Sequence, residues 1–187
     1  MKPVLANGVE FDESKHEYWF EGRQLSGVTG LISKKLGLKM PQEFVEEHQE
    51  EGIHVHKAVR KWIETGDPES VHPGVRWLIE TWDEKSLPEE ADALSIHSEV
   101  LVSDFKKYAS AVDIIVRRTD GGLVIYDIKK GLFKREYVTW QLSIYKYFIE
   151  KYAGRKVDAC VCVCMKDRDY YDIFPKPFER VEKLLSG

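Results

Sequence analysis

The chain is predicted to be an α/β protein, with a central mixed β-sheet flanked by helices and an N-terminal β-hairpin. Strand-like and helical stretches alternate in the order helix, three strands, helix, strand. Ala109–Arg118 and Leu123–Lys129 are rich in β-branched residues and are joined through Asp120, Gly121 and Gly122, a strong hairpin signal because such turns need residues that accept positive φ. At 187 residues, 43% hydrophobic and 12% aromatic, the sequence can bury a full core within one domain. A single domain is therefore expected over 1–187, with 1–40 as hairpin and lead-in and 41–187 as the core.

Val9 to Leu25 reads as the hairpin, with turns at Asp12–Lys15 and Glu21–Gly22. Gln42 to Glu64 reads as one long helix or two short ones, with Pro41 just ahead of the first turn. Val45, His48, Gly52, His56, Val59 and Ile63 fall on one face of it, and His54 on another. Pro73 opens the next helix, whose apolar stripe is Val75, Leu78, Ile79 and Trp82. Strands are expected near Ile96–Val102, Ala109–Arg118 and Leu123–Lys129. Helix Val138–Tyr152, strand Val157–Met165, strand Tyr170–Phe174 and a short terminal helix complete the chain.

Net charge is -4, which taken alone argues against a nucleic-acid partner, but its distribution matters more. Acids concentrate in Glu43–Glu51 and Asp83–Asp92, whereas Arg117, Arg118, Lys129, Lys130, Lys134 and Arg135 form a basic group around the hairpin. Cys160, Cys162 and Cys164 alternate with valines, as on a buried, reduced strand face. Met1 to Glu10 lacks the apolar run of a signal peptide, and no stretch is long enough to span a membrane, so a cytoplasmic protein is expected.

The chemistry concentrates on the hairpin. Asp127 and Lys129, two apart on a strand, share a face; Asp113 on the partner strand shares its face with Ala111 and Ile115. An unpaired carboxylate among apolar residues is costly, so both acids call for a partner. Acids on two paired strands can hold a hard divalent cation beside a fixed ammonium group, and that arrangement suits phosphodiester hydrolysis. Two carboxylates, a backbone carbonyl and a substrate phosphate suffice as magnesium ligands.

These residues resemble the PD-(D/E)XK nuclease superfamily, within it the RecB-type and phage recombination exonuclease branch. Gly52 to His56 resembles the branch's Gly-x-x-x-His helix motif, and Gln141 to Tyr145 its Gln-x-x-x-Tyr helix motif. Glu99 lies where a strand acid often precedes the first aspartate, and His16 through Tyr18 and Gly22 to Ser26 and Thr29 resembles the hairpin lead-in of small phage-type members. Ala111 replaces a common glycine and Lys130 a common threonine. The resemblance implies a restriction-endonuclease-like α/β/α core and a Mg²⁺- or Mn²⁺-dependent deoxyribonuclease, most directly an exonuclease at linear DNA ends in recombination or repair, leaving a 5′-phosphate. It implies His56, Asp113, Asp127 and the Ile128 carbonyl as metal ligands, with Glu99 assisting. Lys129 would orient or deprotonate the attacking water, and Gln141 would hold Lys129 or a phosphate. Tyr145, Lys130, Lys134, Arg135, Ser26 and Thr29 are the expected nucleic-acid contacts. Relatives often work with a single-strand annealing protein and assemble into homo-oligomeric rings. Some carry an iron–sulfur cluster, which needs four cysteines; this chain has three, so none is expected.

Overall fold

The computed structural model describes residues 5–38, 46–66, 73–85, 93–131 and 134–187. Strands β1 (Val9–Asp12), β2 (Glu17–Phe20) and β3 (Arg23–Gly27) form an antiparallel meander, so the two predicted turns separate three strands. The Asp12 carboxylate accepts the Ser14 and Lys15 amides at 2.9 and 3.2 Å, closing the first turn. At the second, Glu21 and Gly22 have φ 49° and 75°, the double positive φ of a tight hairpin.

Helix α1 (Val28–Leu36) follows at once, where sequence reading expected only a lead-in. Nine residues are marginal as an isolated helix. Packing of Val28, Leu31 and Ile32 into the main core supplies what local propensity does not. Helices α2 (Glu46–Thr65) and α3 (Pro73–Lys85) come next. The expected start at Gln42, Pro41 and part of the acidic runs lie outside the described residues.

The remaining elements are β4 (Ala93–Ser103), β5 (Tyr108–Arg118), β6 (Leu123–Lys129), α4 (Arg135–Tyr152), β7 (Val157–Cys164), β8 (Asp169–Asp172) and α5 (Phe178–Ser186). Helix α4 starts three residues earlier than expected, which takes Arg135 out of the loop and into the helix. The sheet is mixed and eight-stranded: β4, β5 and β6 are antiparallel neighbours, α4 carries the chain from β6 to a parallel β7, and β8 closes the edge. Helices α1, α4 and α5 pack on one face around Ile125, Leu142, Ile144 and Phe148. Helices α2 and α3 cover the other around Ile114, Val116, Val124 and Tyr126. This is the α/β architecture expected, compatible with an α/β/α core. Cys160, Cys162 and Cys164 are buried free thiols, and burial pushes Cys160 up to about 12. Among the described residues no helix is long and apolar enough to cross a membrane.

One break in this sheet positions the candidate site. Tyr108 passes its carbonyl to Asp104 on the β4 side, while the preceding carbonyl, of Lys107, accepts the Ser26 amide at 2.8 Å. Successive carbonyls point to opposite edges, so β3 lies on the edge that β6 occupies further along, at Ile114–Arg117. Ser110–Asp113 fall between the two partners. Face alternation also fails here. Val112 packs with Ile115 on the α4 side, where strict alternation would place it with Ile114 and Val116. Across from it, Ile96 packs against the α2–α3 layer and Val100 and Val102 on the α4 side. The switch falls at Glu99, φ 49°, and at Asp113 opposite it.

Candidate metal centre

Glu99 stands across from Asp113, because its neighbours Ser98 and Val100 pair with Ile114 and Val112. Two carboxylates directly opposite repel, and a left-handed non-glycine backbone adds strain, so something must compensate. His56 does so from α2. Its Nδ1 lies 3.6 Å from Glu99 Oε1 and 3.4 Å from Asp113 Oδ1. One ligand atom from each of the three can sit within 4.8 Å of the others, and all three side chains keep some exposure. The Asp113 charge raises His56 to about 10 against the opposing effect of burial. Burial alone would raise Asp113, but His56, Lys129 and the Ile128 amide outweigh it and hold the carboxyl below its ordinary range. His54, on another side of the helix, is exposed.

Beyond Ile114 and Tyr126 the β5–β6 ladder ends, and Asp113 Oδ2 accepts the Ile128 N–H at 2.6 Å in its place. The carbonyl of a strand residue points to the same edge as its N–H, so the Ile128 oxygen also faces this gap. Asp127 is 1% exposed, with Oδ1 and Oδ2 at 3.0 and 2.8 Å from Lys129 Nζ. Gln141 Oε1, 3.3 Å from Nζ, is the third group that fixes the ammonium. Burial outweighs the pull of Lys129 and brings the Asp127 carboxyl to about 6. Burial opposes the Lys129 charge, but Asp127 and Asp113 prevail and raise its pKa.

The donor set fits a hard divalent cation. It consists of carboxylate oxygens, one imidazole and one carbonyl, the ligand types that suit Mg²⁺ or Mn²⁺. Asp127 Oδ2 is buried and has no aligned hydrogen bond; the Lys129 ammonium, 2.8 Å away, is its ion-pair partner.

The structure brings together His56, Glu99, Asp113, Asp127, Ile128, Lys129 and Gln141. It does not place the expected nucleic-acid residues alike. Tyr145 is 2% exposed, and its hydroxyl accepts Gln141 Nε2 at 2.8 Å; it cannot touch DNA and instead holds Gln141. Ser26 and Thr29 are exposed where β3 runs into α1. Lys130 is half-buried beside Lys129, and Lys134 is exposed just before α4. Arg135 donates to the Asp172 carbonyl at 2.8 Å, toward the β8 edge. Arg117 and Arg118, counted with Lys129 and Lys130 in the basic group of the sequence, do not border the centre. They lie at the opposite end of β5, roughly 13 Å or more along the strand from Asp113 at about 3.3 Å per residue. There Arg118 meets Asp120 and Asp158, and Arg117 lines a cleft with Arg155 and Lys156.

One residue of the neighbourhood had no sequence signal: Ser110, at the break in β5, whose Oγ lies 2.9 Å from the Tyr145 hydroxyl. It is a buried polar side chain brought to α4 by non-local packing. No family model matches the chain, and no curated protein does either.

Proposed function

We propose that the protein is a metal-dependent deoxyribonuclease of the PD-(D/E)XK kind its motifs resemble, acting on linear DNA ends. The observation that carries this reading is a lysine ammonium held 2.8 Å from a buried carboxylate, beside the partly open trio His56, Glu99 and Asp113. His56, Glu99, Asp113, Asp127 and the Ile128 carbonyl would hold the cation. When bound, it would lower the pKa of a coordinated water and offset phosphate charge. Asp127 and Asp113 raise the Lys129 pKa, and the part proposed for it is to donate to the attacking water or to a phosphate oxygen as charge develops there. Gln141 and Asp127 hold its ammonium in place. Water oxygen attacks phosphorus, the P–O3′ bond breaks, and the departing 3′ oxygen takes a proton, leaving a 5′-phosphate.

Digestion of end-labelled linear and closed circular DNA with Mg²⁺, against a chelated control, tests the reading. Nucleotide release from linear DNA alone is expected. Nicking of circles would make the enzyme an endonuclease, and metal-dependent binding without cutting an inactive member of the group. A protein that neither cuts nor binds DNA in Mg²⁺ would overturn the proposal.

A second reading has its own observation: His56 lies within 3.6 Å of both carboxylates, so an imidazolium could complete a structural ion triad without metal. Titration calorimetry separates the two. His56→Ala is expected to weaken Mn²⁺ binding roughly 10–100-fold, more than it weakens folding; unchanged binding would return His56 to a structural role.

Contacts with DNA follow from the basic approach to α4. Lys134→Ala with Arg135→Ala is expected to keep Mn²⁺ affinity but bind linear duplex less tightly in Ca²⁺. The salt slope of log K should fall by roughly 0.9 for each phosphate that the variant no longer neutralises. An unchanged slope would place the DNA on another surface.

A further inference from the structure

At the end of β5 away from the metal centre, the β5–β6 turn and the connection from α4 to β7 enclose a cleft of about 380 Å³, within the range of pockets that take small molecules. Its two walls are tied together. The Leu123 amide donates to the Lys156 carbonyl at 2.9 Å, and Arg155 Nη2 to the Gly121 carbonyl at 3.4 Å. The Asp120 carboxylate accepts the Gly122 amide at 3.0 Å and closes the turn. Gly121, φ 88°, and Gly154, φ 61°, have nothing within 4 Å of where a Cβ would stand, so bare backbone lines part of the cleft and a ligand can approach it closely.

The charges here do not cancel. Arg117, Arg155 and Lys156 line the cleft, with Arg118 beside them, against two carboxylates, Asp120 and Asp158. Both carboxylates are engaged: Asp120 by Arg118 at 3.1 Å, and Asp158 by Lys156 at 2.5 Å and Arg118 at 3.9 Å. The Arg117 guanidinium, by contrast, forms no ion pair or hydrogen bond with any described residue, and its Nε is buried. A guanidinium cannot shed its proton, so burying part of one without a counter-charge is costly. Arg155 follows the C-terminus of α4, where a cation is favourable in any case. Arg117, on a central strand, has no such reason to be there.

We propose that this cleft binds a phosphoryl group, with Arg117 as its principal cation and Arg155 as the second. A planar guanidinium meets two phosphate oxygens at once, and the two charges left over by Asp120 and Asp158 match a phosphate monoester dianion. The phosphoryl group belongs either to a free monoester or to a DNA strand, two sources of one chemistry. The site stands apart from the metal centre and does not depend on the nuclease reading.

The test is calorimetric titration of the purified chain in chelator, at matched ionic strength, with inorganic phosphate, a deoxynucleoside 5′-monophosphate and linear duplex DNA. Arg117→Gln is expected to weaken binding roughly 10-fold or more, the ratio that loss of a charge-assisted hydrogen bond brings. Arg117→Lys keeps the charge without the fork and should fall between the two. A native circular dichroism spectrum in both variants reports an intact fold. A loss confined to phosphate and the monophosphate assigns the cleft to free monoesters. A loss confined to duplex, with the salt slope reduced by roughly 0.9, assigns it to a phosphate of the strand. A loss for all three shows that strand and monoester share it. Should Arg117→Gln not fold, Arg155→Gln takes its place in each comparison. Equal affinities in variant and wild type for all three probes, or a wild-type chain that binds none of them, overturn the site. A chain that holds phosphate through Arg117 yet cuts no DNA refutes the nuclease reading alone.

Discussion

Asp113→Asn and Lys129→Ala should each reduce metal-dependent DNA cleavage by on the order of 10²–10⁴. The two substitutions act on different parts of the centre. Asparagine at 113 can still accept the Ile128 amide through its side-chain oxygen, so the end of the β5–β6 ladder survives. What is lost is the charge that faces His56 and Glu99 and that a cation would need. Alanine at 129 leaves the ligands in place and removes the only ammonium within bonding distance of Asp127 among the described residues. A steady-state assay on linear duplex with saturating Mg²⁺ reads both. Near-normal turnover in either variant, with a native circular dichroism spectrum, would end the site assignment.

Lys129→Ala should also cost the metal-free protein about 3–5 kcal/mol of stability, the usual loss when one partner of a buried ion pair is removed. Asp127 is 1% exposed, and its carboxylate would be left with Gln141 Oε1, another acceptor, as its nearest former co-partner of the ammonium. Burial of the ion pair is why this substitution should cost stability as well as activity. The loss should depend on pH. The Asp127 carboxyl stands at about 6, above its ordinary 3.8, so the folded state holds that proton more firmly than the unfolded chain does. The stability this group contributes is fully present below about 4 and is lost as pH rises through about 6. Removing Lys129 removes an attraction that keeps the carboxyl from rising further. The deficit of Lys129→Ala relative to wild type should therefore be larger at pH 8 than at pH 5. Urea unfolding in chelator at both pH values checks this, and Asp127→Asn combined with Lys129→Met should recover much of the loss. A deficit that is the same at both pH values, or absent, would show that Asp127 finds another partner.

Much of the site was legible because its parts are local. Asp113, Asp127 and Lys129 stand on two strands joined by a short turn, and period-two alternation places the last two on one face whatever the rest of the chain does. The helical spacing of Gly52 and His56, and of Gln141 and Tyr145, depends only on the turn of a helix. Alternating valines and cysteines foretold a buried β7 for the same reason.

What the chain determined by itself, then, was periodicity: the order of the elements, the hairpin, and which side chains share a face within one element. The tertiary structure decided what depends on register between elements far apart in sequence. It put Arg117 and Arg118 at the far end of the sheet, since residues adjacent in a charge census can lie at opposite ends of a strand. It buried Tyr145 and turned Arg135 toward β8, because α4 begins earlier than its apolar stripe suggested. It stabilised α1, too short to form alone, by packing it on α4. And it opened the gap between β3 and β6 on one edge of β5, at Ser110–Asp113, while on the other edge Glu99 bends back across from Asp113. No local pattern encodes that gap, because it arises only when two strands remote in sequence compete for the same edge.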